Sequence, residues 1–334
     1  MARTLTTLYH FNPQRLRERG QHEMAASLPW EPETDFIDPA EHSTAGLVRE
    51  LVRRASDYDV LVLNTSARRD QVAAAALRRT RTKTGLVLND CTWKVESAAA
   101  ARWLSRLGIR TMDGPRTHYC VLSSDEERAF PGTWGVASQR VHFTPWYFWH
   151  SVEEAAMPVA EDGFVFSGGD SMRDYRPLID AARELRAEVR VAAHQAPPVA
   201  EGELPANLTW GSLSPEDYFE TMCRASVVVM PLVAESERSA GQQSYLNPMA
   251  KGKLVVVNDA PGVRDYIRDR ETGLIVPNDD PAALAEALSW ALEPSNSAAV
   301  RDIGVNAKRD VGERFPLKRY IGKVVDIARE VGTS

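Results

Sequence analysis

The feature that most constrains this fold is the alternation of short apolar runs with longer amphipathic runs. Each apolar run is bounded by glycine, proline or polar residues, as is typical of a strand buried on both faces. Each amphipathic run has apolar residues at helical spacing, as Leu178, Ile179, Ala182 and Leu185 do. Strands that alternate with helices predict βαβ units and a parallel sheet. The strand candidates of the second half are "GFVFSGG", "VRVAA", "SVVVMPL", "LVVV" and "GLIVP".

The first half repeats this alternation less regularly. Its strand candidates are "YDVLVLN", "TGLVLND" and "HYCVLSS", and a helix is predicted over "VESAAAARWLSRLG". The segment "RVHFTPWYFWHSVEEAAMPVAEDG" then interrupts the pattern with two prolines and clustered aromatic residues. We therefore predict an α/β protein of two doubly wound, Rossmann-like domains that face a cleft. The predicted domains span 1–150 and 151–315, and a C-terminal helix over 316–334 could pack back on the first domain.

Composition argues against several classes of protein. The net charge of −6 argues against a nucleic-acid-binding protein, which usually concentrates basic residues on one face. No apolar stretch reaches the roughly 18 residues that cross a bilayer, and the N-terminus lacks a signal-peptide core, so we expect no stable membrane insertion. The three cysteines are widely spaced, which is typical of reduced thiols in a cytoplasmic protein. The seven histidines are scattered without ligand spacing, so we expect no metal and no cofactor.

Glycines and polar residues follow the predicted strands, where open parallel sheets bind ligands. In "SAGQQSYLNPMAKGKLVVVND" a turn at Gly241 leads directly into a helix. The first N–H groups of a helix and its dipole favour a bound anion, and glycine permits close approach of the backbone. Gln242, Gln243 and Ser244 add neutral donors suited to a diphosphate and to sugar hydroxyls. The alternative is an ordinary strand-to-helix turn.

The segment "SGGDSMRD" is a second candidate for anion binding. Gly168 and Gly169 predict a tight turn with accessible N–H groups, and Arg173 can pair with a phosphate through two parallel hydrogen bonds. The alternative is a surface arginine paired with one of the neighbouring aspartates. Arg176 is the substitute candidate for the same role.

With these motifs in place, the second half resembles the nucleotide-sugar-binding domain of GT-B glycosyltransferases, in the retaining, family 4-like group named "glycosyl transferases group 1". The resemblance implies transfer of a sugar, of hexosyltransferase type, from a nucleotide diphosphate sugar to a hydroxyl or other nucleophile, with retention and without a metal. It covers roughly residues 163–292. The segments that carry it are "FSGGDSMRDYRPLIDAA", "NLTWGSLSPEDYFETMCRASVVVMPL", "SAGQQSYLNPMAKGKLVVVND" and "VRDYIRDRETGLIVPNDDPAALAEAL".

The sequence departs from the family at one pair of positions. The family usually carries two glutamates eight residues apart, which are associated with holding the donor sugar and the ribose. Here those positions are Ser239 and Asn247. Because both carboxylates are absent, the family pattern does not predict the donor of this protein, and a protein without activity is one of the alternatives.

The resemblance also suggests roles for individual residues of the second half. Arg173 would neutralise the leaving diphosphate as the glycosidic bond breaks. Gly211 and backbone groups near His194 would frame the base, and Tyr218 would stack on it. The alternative for this loop and helix is an ordinary helix start at Ser214 and Pro215.

In the first half, "VLNDCTWK" ends a predicted strand and supplies the candidate acceptor-binding residues Asn89 and Asp90. Asp90 could orient or deprotonate an acceptor hydroxyl, or it could cap the next helix. His118 precedes "YCVLSS" and is either a third acceptor contact or a structural histidine.

The sequence therefore predicts a glycosyltransferase that acts on a nucleotide-sugar donor and a small-molecule or glycan acceptor. We find no obvious amphipathic basic helix in the first domain, so we expect a soluble acceptor rather than a membrane lipid. Two alternatives stay open. One is a nucleotide-sugar epimerase of the same fold, and the other is a catalytically silent nucleotide-binding protein. The sequence gives no indication of the oligomeric state.

Overall fold

The computed structural model describes residues 2–80, 82–95, 98–200 and 202–333. The chain forms two compact units. The first unit joins Met1–Pro145 to Leu317–Ser334, and the second is the continuous segment Trp146–Pro316.

The first unit contains a six-stranded parallel sheet in the order β2-β1-β3-β4-β5-β6. The order reverses between β1 and β3, since β2 lies on one side of β1 and the later strands on the other. The strands are β1 (Thr4–Thr6), β2 (Thr34–Phe36), β3 (Val60–Asn64), β4 (Gly85–Asn89), β5 (Thr117–Val121) and β6 (Val141–Phe143). The helices are α1 (Pro13–Glu18), α2 (His22–Ser27), α3 (Thr44–Arg54), α4 (Arg68–Leu77), α5 (Ala99–Arg110) and α6 (Ser124–Trp134).

The second unit contains another six-stranded parallel sheet, in the order β12-β11-β10-β7-β8-β9. Its order reverses between β7 and β10, as in a Rossmann sheet. The strands are β7 (Val165–Gly168), β8 (Val189–Ala192), β9 (Leu208–Gly211), β10 (Val227–Met230), β11 (Leu254–Asn258) and β12 (Leu274–Val276). The helices are α7 (Val152–Ala156), α8 (Arg176–Ala182), α9 (Pro215–Arg224), α10 (Gln242–Ala250), α11 (Val263–Tyr266), α12 (Pro281–Leu292) and α13 (Ser297–Arg314).

The predicted α/β class with two doubly wound domains is confirmed by these two sheets. Central strands such as β10 and β11 are buried and rich in valine, because helices cover both faces of a parallel sheet. Asp280 caps α12, since its side chain accepts a hydrogen bond from the N–H of Ala283 at 2.9 Å. The helix predicted from Val95 begins at Ala99, and residues 96–97 lie outside the described residues.

The final helix, α14 (Leu317–Thr333), packs on β3 and β4 of the first unit. Its apolar face is buried, and Arg116 at the entry to β5 donates a hydrogen bond to the carbonyl of Val331 at 2.6 Å. A methyl group on Gly85 would lie 2.3 Å from a methyl of Val331, so the close approach of strand and helix requires glycine there.

Candidate functional site

The second sheet has its topological switch point between β7 and β10. In open parallel sheets, ligands bind at such a point, outside the carboxyl ends of the strands. Two segments meet there: the loop that follows β7, and the segment that follows β10 and leads into α10. An isolated antiparallel bridge between Arg173 and Leu232 joins them.

The loop after β7 has an unusual backbone. Gly169 has a φ of 104°, and Met172 has a φ of 56°, which is uncommon for a residue with a side chain. The phenol ring of Tyr218 lies against Gly168, where a methyl group would approach it to 2.4 Å. Backbone strain of this kind concentrates at binding sites, where the surrounding structure holds it in place.

The loop aims the side chain of Arg173 at the start of α10. Its Nη2 donates to Ser244 Oγ at 2.9 Å, and its Nη1 donates to the carbonyl of Ser171 at 2.7 Å. Nε lies 3.4 Å from the carbonyl oxygen of Gly168, and Nη2 lies 3.9 Å from the sulfur of Met230. These partners are all uncharged.

Burial lowers the pKa of Arg173, and Tyr175, Tyr218, Tyr245 and Asp170 act in the opposite direction. A lowered pKa means that the cation is poorly solvated where it lies, so a bound anion would stabilise it. The alternative drawn from the sequence was that Arg173 pairs with a neighbouring aspartate. It is Arg176, and not Arg173, that makes such a pair. Arg176 makes a bidentate ion pair with Asp174, at 2.9 and 2.6 Å, and its side chain is 69% exposed.

The first turn of α10 lies beside this cation. Gly241 precedes the helix with a φ of 84°, and a methyl group there would lie 2.9 Å from Leu232 Cδ2 and 3.5 Å from Arg173 Nη1. The first N–H groups of a helix have no partner within it and carry its positive dipole end. Arg173 and the start of α10 therefore form one electropositive corner.

Of the side chains that follow Gly241, one is buried inside the unit and another is half-buried beside the candidate site. Gln242 is buried and donates to the hydroxyl of Ser239, also buried, at 2.7 Å. Gln243 is half-buried and bridges two residues: its Oε1 accepts from Trp146 Nε1 at 3.1 Å, and its Nε2 donates to Asn247 Oδ1 at 2.6 Å. Ser239 and Asn247 are therefore both bonded to neutral amide side chains.

The candidate base-binding residues lie along the carboxyl ends of β7, β8 and β9. Asp170 accepts hydrogen bonds from the N–H groups of His194 and Gln195, and its Oδ2 lies 3.0 Å from His194 Nδ1. Gly211, which we expected in a loop, is the exposed last residue of β9. Tyr218 packs edge-on against Phe166.

The three acceptor candidates of the first unit do not lie together at the carboxyl edge of the sheet. Asn89 is buried and donates to the Tyr320 hydroxyl of α14 at 2.7 Å. Asp90 follows β4 at the carboxyl edge of the sheet with a φ of 55°. His118 is not brought to this edge, because it is the second residue of β5 and stacks on His142 with ring centroids 5.0 Å apart. Burial, with the neighbouring His142 adding to it, lowers the pKa of His118 to about 4.

Sequence reasoning missed two residues that shape the site. Asn258, at the end of β11, holds Leu232 through both backbone atoms: its Oδ1 accepts from the N–H at 2.7 Å and its Nδ2 donates to the carbonyl at 2.9 Å. Trp146 orients the amide of Gln243. Asn258 could have been predicted, because it is a polar residue at the end of the apolar strand "LVVVN". No local pattern links Trp146 to a helix about a hundred residues later.

Comparisons with known proteins agree with this architecture. Residues 164–294 match the family model described as glycosyl transferases group 1. A sucrose-phosphate synthase from Thermosynechococcus elongatus superposes with a TM-score of 0.66 at 16% identity, over 99% of this chain and 98% of that one. HepE from Anabaena, in complex with UDP and glucose, gives 0.65 at 15% identity, over 100% and 99%. The chain has the GT-B fold. A glycosyltransferase from Rickettsia africae is a further GT-B neighbour, with a TM-score of 0.67 at 11% identity over 99% and 98%.

No curated protein matches the sequence. In the described ranges of this GT-B chain, no group of three or more His, Cys, Asp or Glu side chains is placed to hold a metal ion. No helix of the described residues is both long and apolar enough to cross a membrane.

Proposed function

We propose that this protein is a glycosyltransferase that moves a sugar, of hexose type, from a nucleotide diphosphate sugar to an acceptor. The match of residues 164–294 to glycosyl transferases group 1 and the GT-B fold support this class of reaction. One of the neighbours, HepE, was solved with UDP and glucose bound, which supports a donor of the same kind.

The observation that carries the proposal is the cation at the switch point. Arg173 is half-buried, hydrogen-bonded to uncharged groups and 2.9 Å from Ser244 in the first turn of α10. A diphosphate placed there would receive the guanidinium, the N–H groups of α10 and the Ser244 hydroxyl. Such charge-assisted hydrogen bonds are stronger than neutral ones.

The same arrangement supports a catalytic role for Arg173. Negative charge grows on the diphosphate as the bond to the sugar breaks, and a fixed cation lowers the energy of that state more than that of the bound donor. We propose that Arg173 and the α10 dipole supply this stabilisation without a metal ion, and that the anomeric configuration is retained. In the first unit, Asp90 is our candidate for orienting the acceptor hydroxyl.

Ser239 and Asn247 bear on which donor is used. Ser239 is buried and bonded to Gln242, and Asn247 presents an amide whose oxygen already accepts from Gln243. We propose that neutral amides hold the donor sugar here. This favours a donor whose hydroxyls do not need a carboxylate as hydrogen-bond acceptor.

Calorimetric titration with UDP, GDP, ADP and dTDP, without added metal, tests the donor site. We expect one nucleotide to bind, and Arg173→Ala to weaken its binding by roughly 1.5 to 3 kcal/mol, the usual effect of losing a charged hydrogen-bond partner. The matched control is Arg176→Ala, because Arg176 is exposed and already paired with Asp174. Equal binding by wild type and Arg173→Ala would place the nucleotide elsewhere.

Turnover separates the proposed reaction from its two alternatives. With the nucleotide known, the matching nucleotide sugars are incubated with candidate acceptors and the products analysed by mass spectrometry. A glycosyltransferase forms a glycosylated acceptor and releases the nucleoside diphosphate. A product isomeric with the donor, formed without an acceptor, would indicate an epimerase. Tight binding without turnover across donors and acceptors would indicate a silent binding protein.

A further inference from the structure

A second feature of the molecule lies outside the nucleotide site: an exposed apolar face on α5 of the first unit. Trp103 is 62% exposed, Leu104 60% and Leu107 45%. In a helix these three positions lie within about 100° of one another, so they form one continuous face. Val72 on α4 is 52% exposed and lines the adjoining groove.

A row of arginines borders this face. Arg102, Arg106 and Arg110 recur at every fourth position, so they follow one side of α5. Arg106 is held in place by donating to the carbonyls of Thr133 and Gly132, at 2.5 and 2.9 Å. The helix sequence "AAARWLSRLGIR" contains no acidic residue.

The surrounding sequence is strongly basic in a chain that is acidic overall. Segment 68–110 contains ten lysines and arginines against three aspartates and glutamates, although the whole chain has a net charge of −6. One of the three acids, Asp70, is buried, so it contributes little to the surface. The positive charge is therefore concentrated around α4 and α5.

An open groove lies between α4 and α5, beside the apolar face. It encloses about 1210 Å³ of space continuous with solvent, and apolar side chains line its base: Trp93, Ile109, Met112 and Trp134. Ser66 after β3 and Thr92 after β4 lie at one end of it, so the groove reaches the carboxyl edge of the first sheet.

We propose that the exposed face of α5 docks this protein on a bilayer surface that contains anionic lipids. A helix with tryptophan and leucine on one face, arginines beside them and no acidic residue has the composition of an interfacial helix. The apolar side chains enter the boundary between headgroups and acyl chains, and the arginines pair with lipid phosphates. The helix lies in the surface and does not cross it.

Charge argues against a second copy of the chain as the occupant of this face. In a symmetric pair the same surface patch meets itself, so each row of arginines would face the other row. Like charges brought together in this way disfavour association. An anionic lipid surface supplies the opposite charge along with an apolar layer.

The expectation of a soluble acceptor depended on the absence of an amphipathic basic helix in the first domain. That premise is wrong, because α5 is such a helix. The pattern was hidden in sequence because the alanines at the start of the helix dilute it, and because exposure of Trp103 and Leu104 cannot be read from spacing alone.

Co-sedimentation of the full chain with vesicles tests the proposal. We expect binding to vesicles of phosphatidylcholine with 30% phosphatidylglycerol, weaker binding as salt is raised, and little binding to pure phosphatidylcholine. Leu104→Ser with Leu107→Ser should lower the partition coefficient roughly tenfold or more, because two leucines leave the apolar layer. Arg110→Gln should lower it for the anionic vesicles by a smaller factor.

Val305→Ser is the matched control, since Val305 is 59% exposed on α13 of the other unit and should leave vesicle binding unchanged. Scanning calorimetry of each variant, which should show the melting of both units unchanged, shows that the first unit is folded, and nucleotide titration shows that the donor site does not depend on α5. Failure to bind anionic vesicles at low salt, or equal binding by the double variant, would overturn the proposal. So would concentration-dependent dimers that the double variant abolishes, or tight binding of RNA in place of vesicles.

Discussion

At the scale of single residues, two of the poorly solvated charged side chains among the described residues, Arg173 and Asp70, have opposite consequences. Arg173 lies among uncharged partners at the switch point of the second sheet, where an anionic ligand would compensate it. Asp70 is buried in the first unit and accepts a hydrogen bond from Thr7 Oγ1. Burial raises the pKa of Asp70 from 3.8 to about 6, so the protonated form is favoured in the fold.

Asp70 makes stability depend on pH. Between about pH 4 and 6 the folded protein keeps a proton on Asp70 that the unfolded chain releases, so the contribution of Asp70 to the free energy of unfolding falls as pH rises through this window. Asp70→Asn has no carboxyl to ionise, so its stability does not fall for this reason as pH rises. The amide oxygen of the asparagine can still accept a hydrogen bond from Thr7. We expect the variant to gain on the order of 2 kcal/mol over wild type at pH 7 and little at pH 4.

Urea unfolding at the two pH values measures this difference. Asp180→Asn is the control, because Asp180 is 61% exposed and lies in a surface pair with Arg183. A constant difference between Asp70→Asn and wild type at both pH values would contradict the assignment.

Sequence patterns predicted which turns lie at the switch point of the second sheet better than they predicted where the side chains of those turns point. Gly168, Gly169, Gly241 and Arg173 were found from residue type and position after a strand. Spacing does not reveal that Gln242 turns inward to Ser239. Direction depends on packing between segments far apart in the chain, which a single sequence does not show.

At the scale of elements, the apolar runs located the central strands of both sheets. They did not locate β1 or β2, which have three residues each, β9, whose sequence "LTWG" contains no apolar run, or β6, which lies inside the aromatic segment that interrupts the alternation. The 18-residue helix α13 was also missed. Its buried positions include Gly304, Ala307 and Asp310, which do not produce a strongly apolar stripe. Short edge strands and helices with small core residues depend on their neighbours more than on their own patterns.

The turn before α10 gives a prediction at this scale. Gly241→Ala places a side chain at a φ of 84° and within 2.9 Å of Leu232, which should shift the first turn of α10. We expect this variant to weaken nucleotide binding about tenfold or more, since the helix N–H groups and Ser244 would move from the diphosphate.

Gly252→Ala is a matched control at the other end of α10. Gly252 has a φ of 78°, and a methyl group there would have no neighbour closer than 3.7 Å. Both variants carry a left-handed backbone penalty of about 1 to 2 kcal/mol in stability. Calorimetry should show lost affinity for Gly241→Ala alone; equal loss in both would mean that the effect is general destabilisation.

At the scale of the whole molecule, the first unit is built from both ends of the chain. Helix α14 covers β3 and β4 with eight buried residues: Leu317, Tyr320, Ile321, Val324, Val325, Ile327, Ala328 and Val331. The second unit, by contrast, is one continuous segment.

Ile321→Ala tests how much the first unit depends on α14. Ile321 is fully buried, so truncation should cost about 2 to 5 kcal/mol in the unfolding of the first unit. Nucleotide binding by the second unit should persist. Lys318→Ala, on the exposed side of the same helix, should change stability little. Scanning calorimetry with bound nucleotide measures the stability of each unit in both variants. Equal melting temperatures of the first unit in Ile321→Ala and Lys318→Ala would contradict this account of α14.

The division of the first unit between the chain ends also has a consequence for synthesis on the ribosome. The six strands of the first sheet emerge early, but α14, which covers β3 and β4, is translated only after the whole of the second unit. Until then, the nascent chain carries an uncovered apolar sheet face while the second unit, whose sequence is unbroken, can already fold. We therefore expect the second unit to complete its fold before the first, and the first unit to need protection from aggregation until α14 has been made.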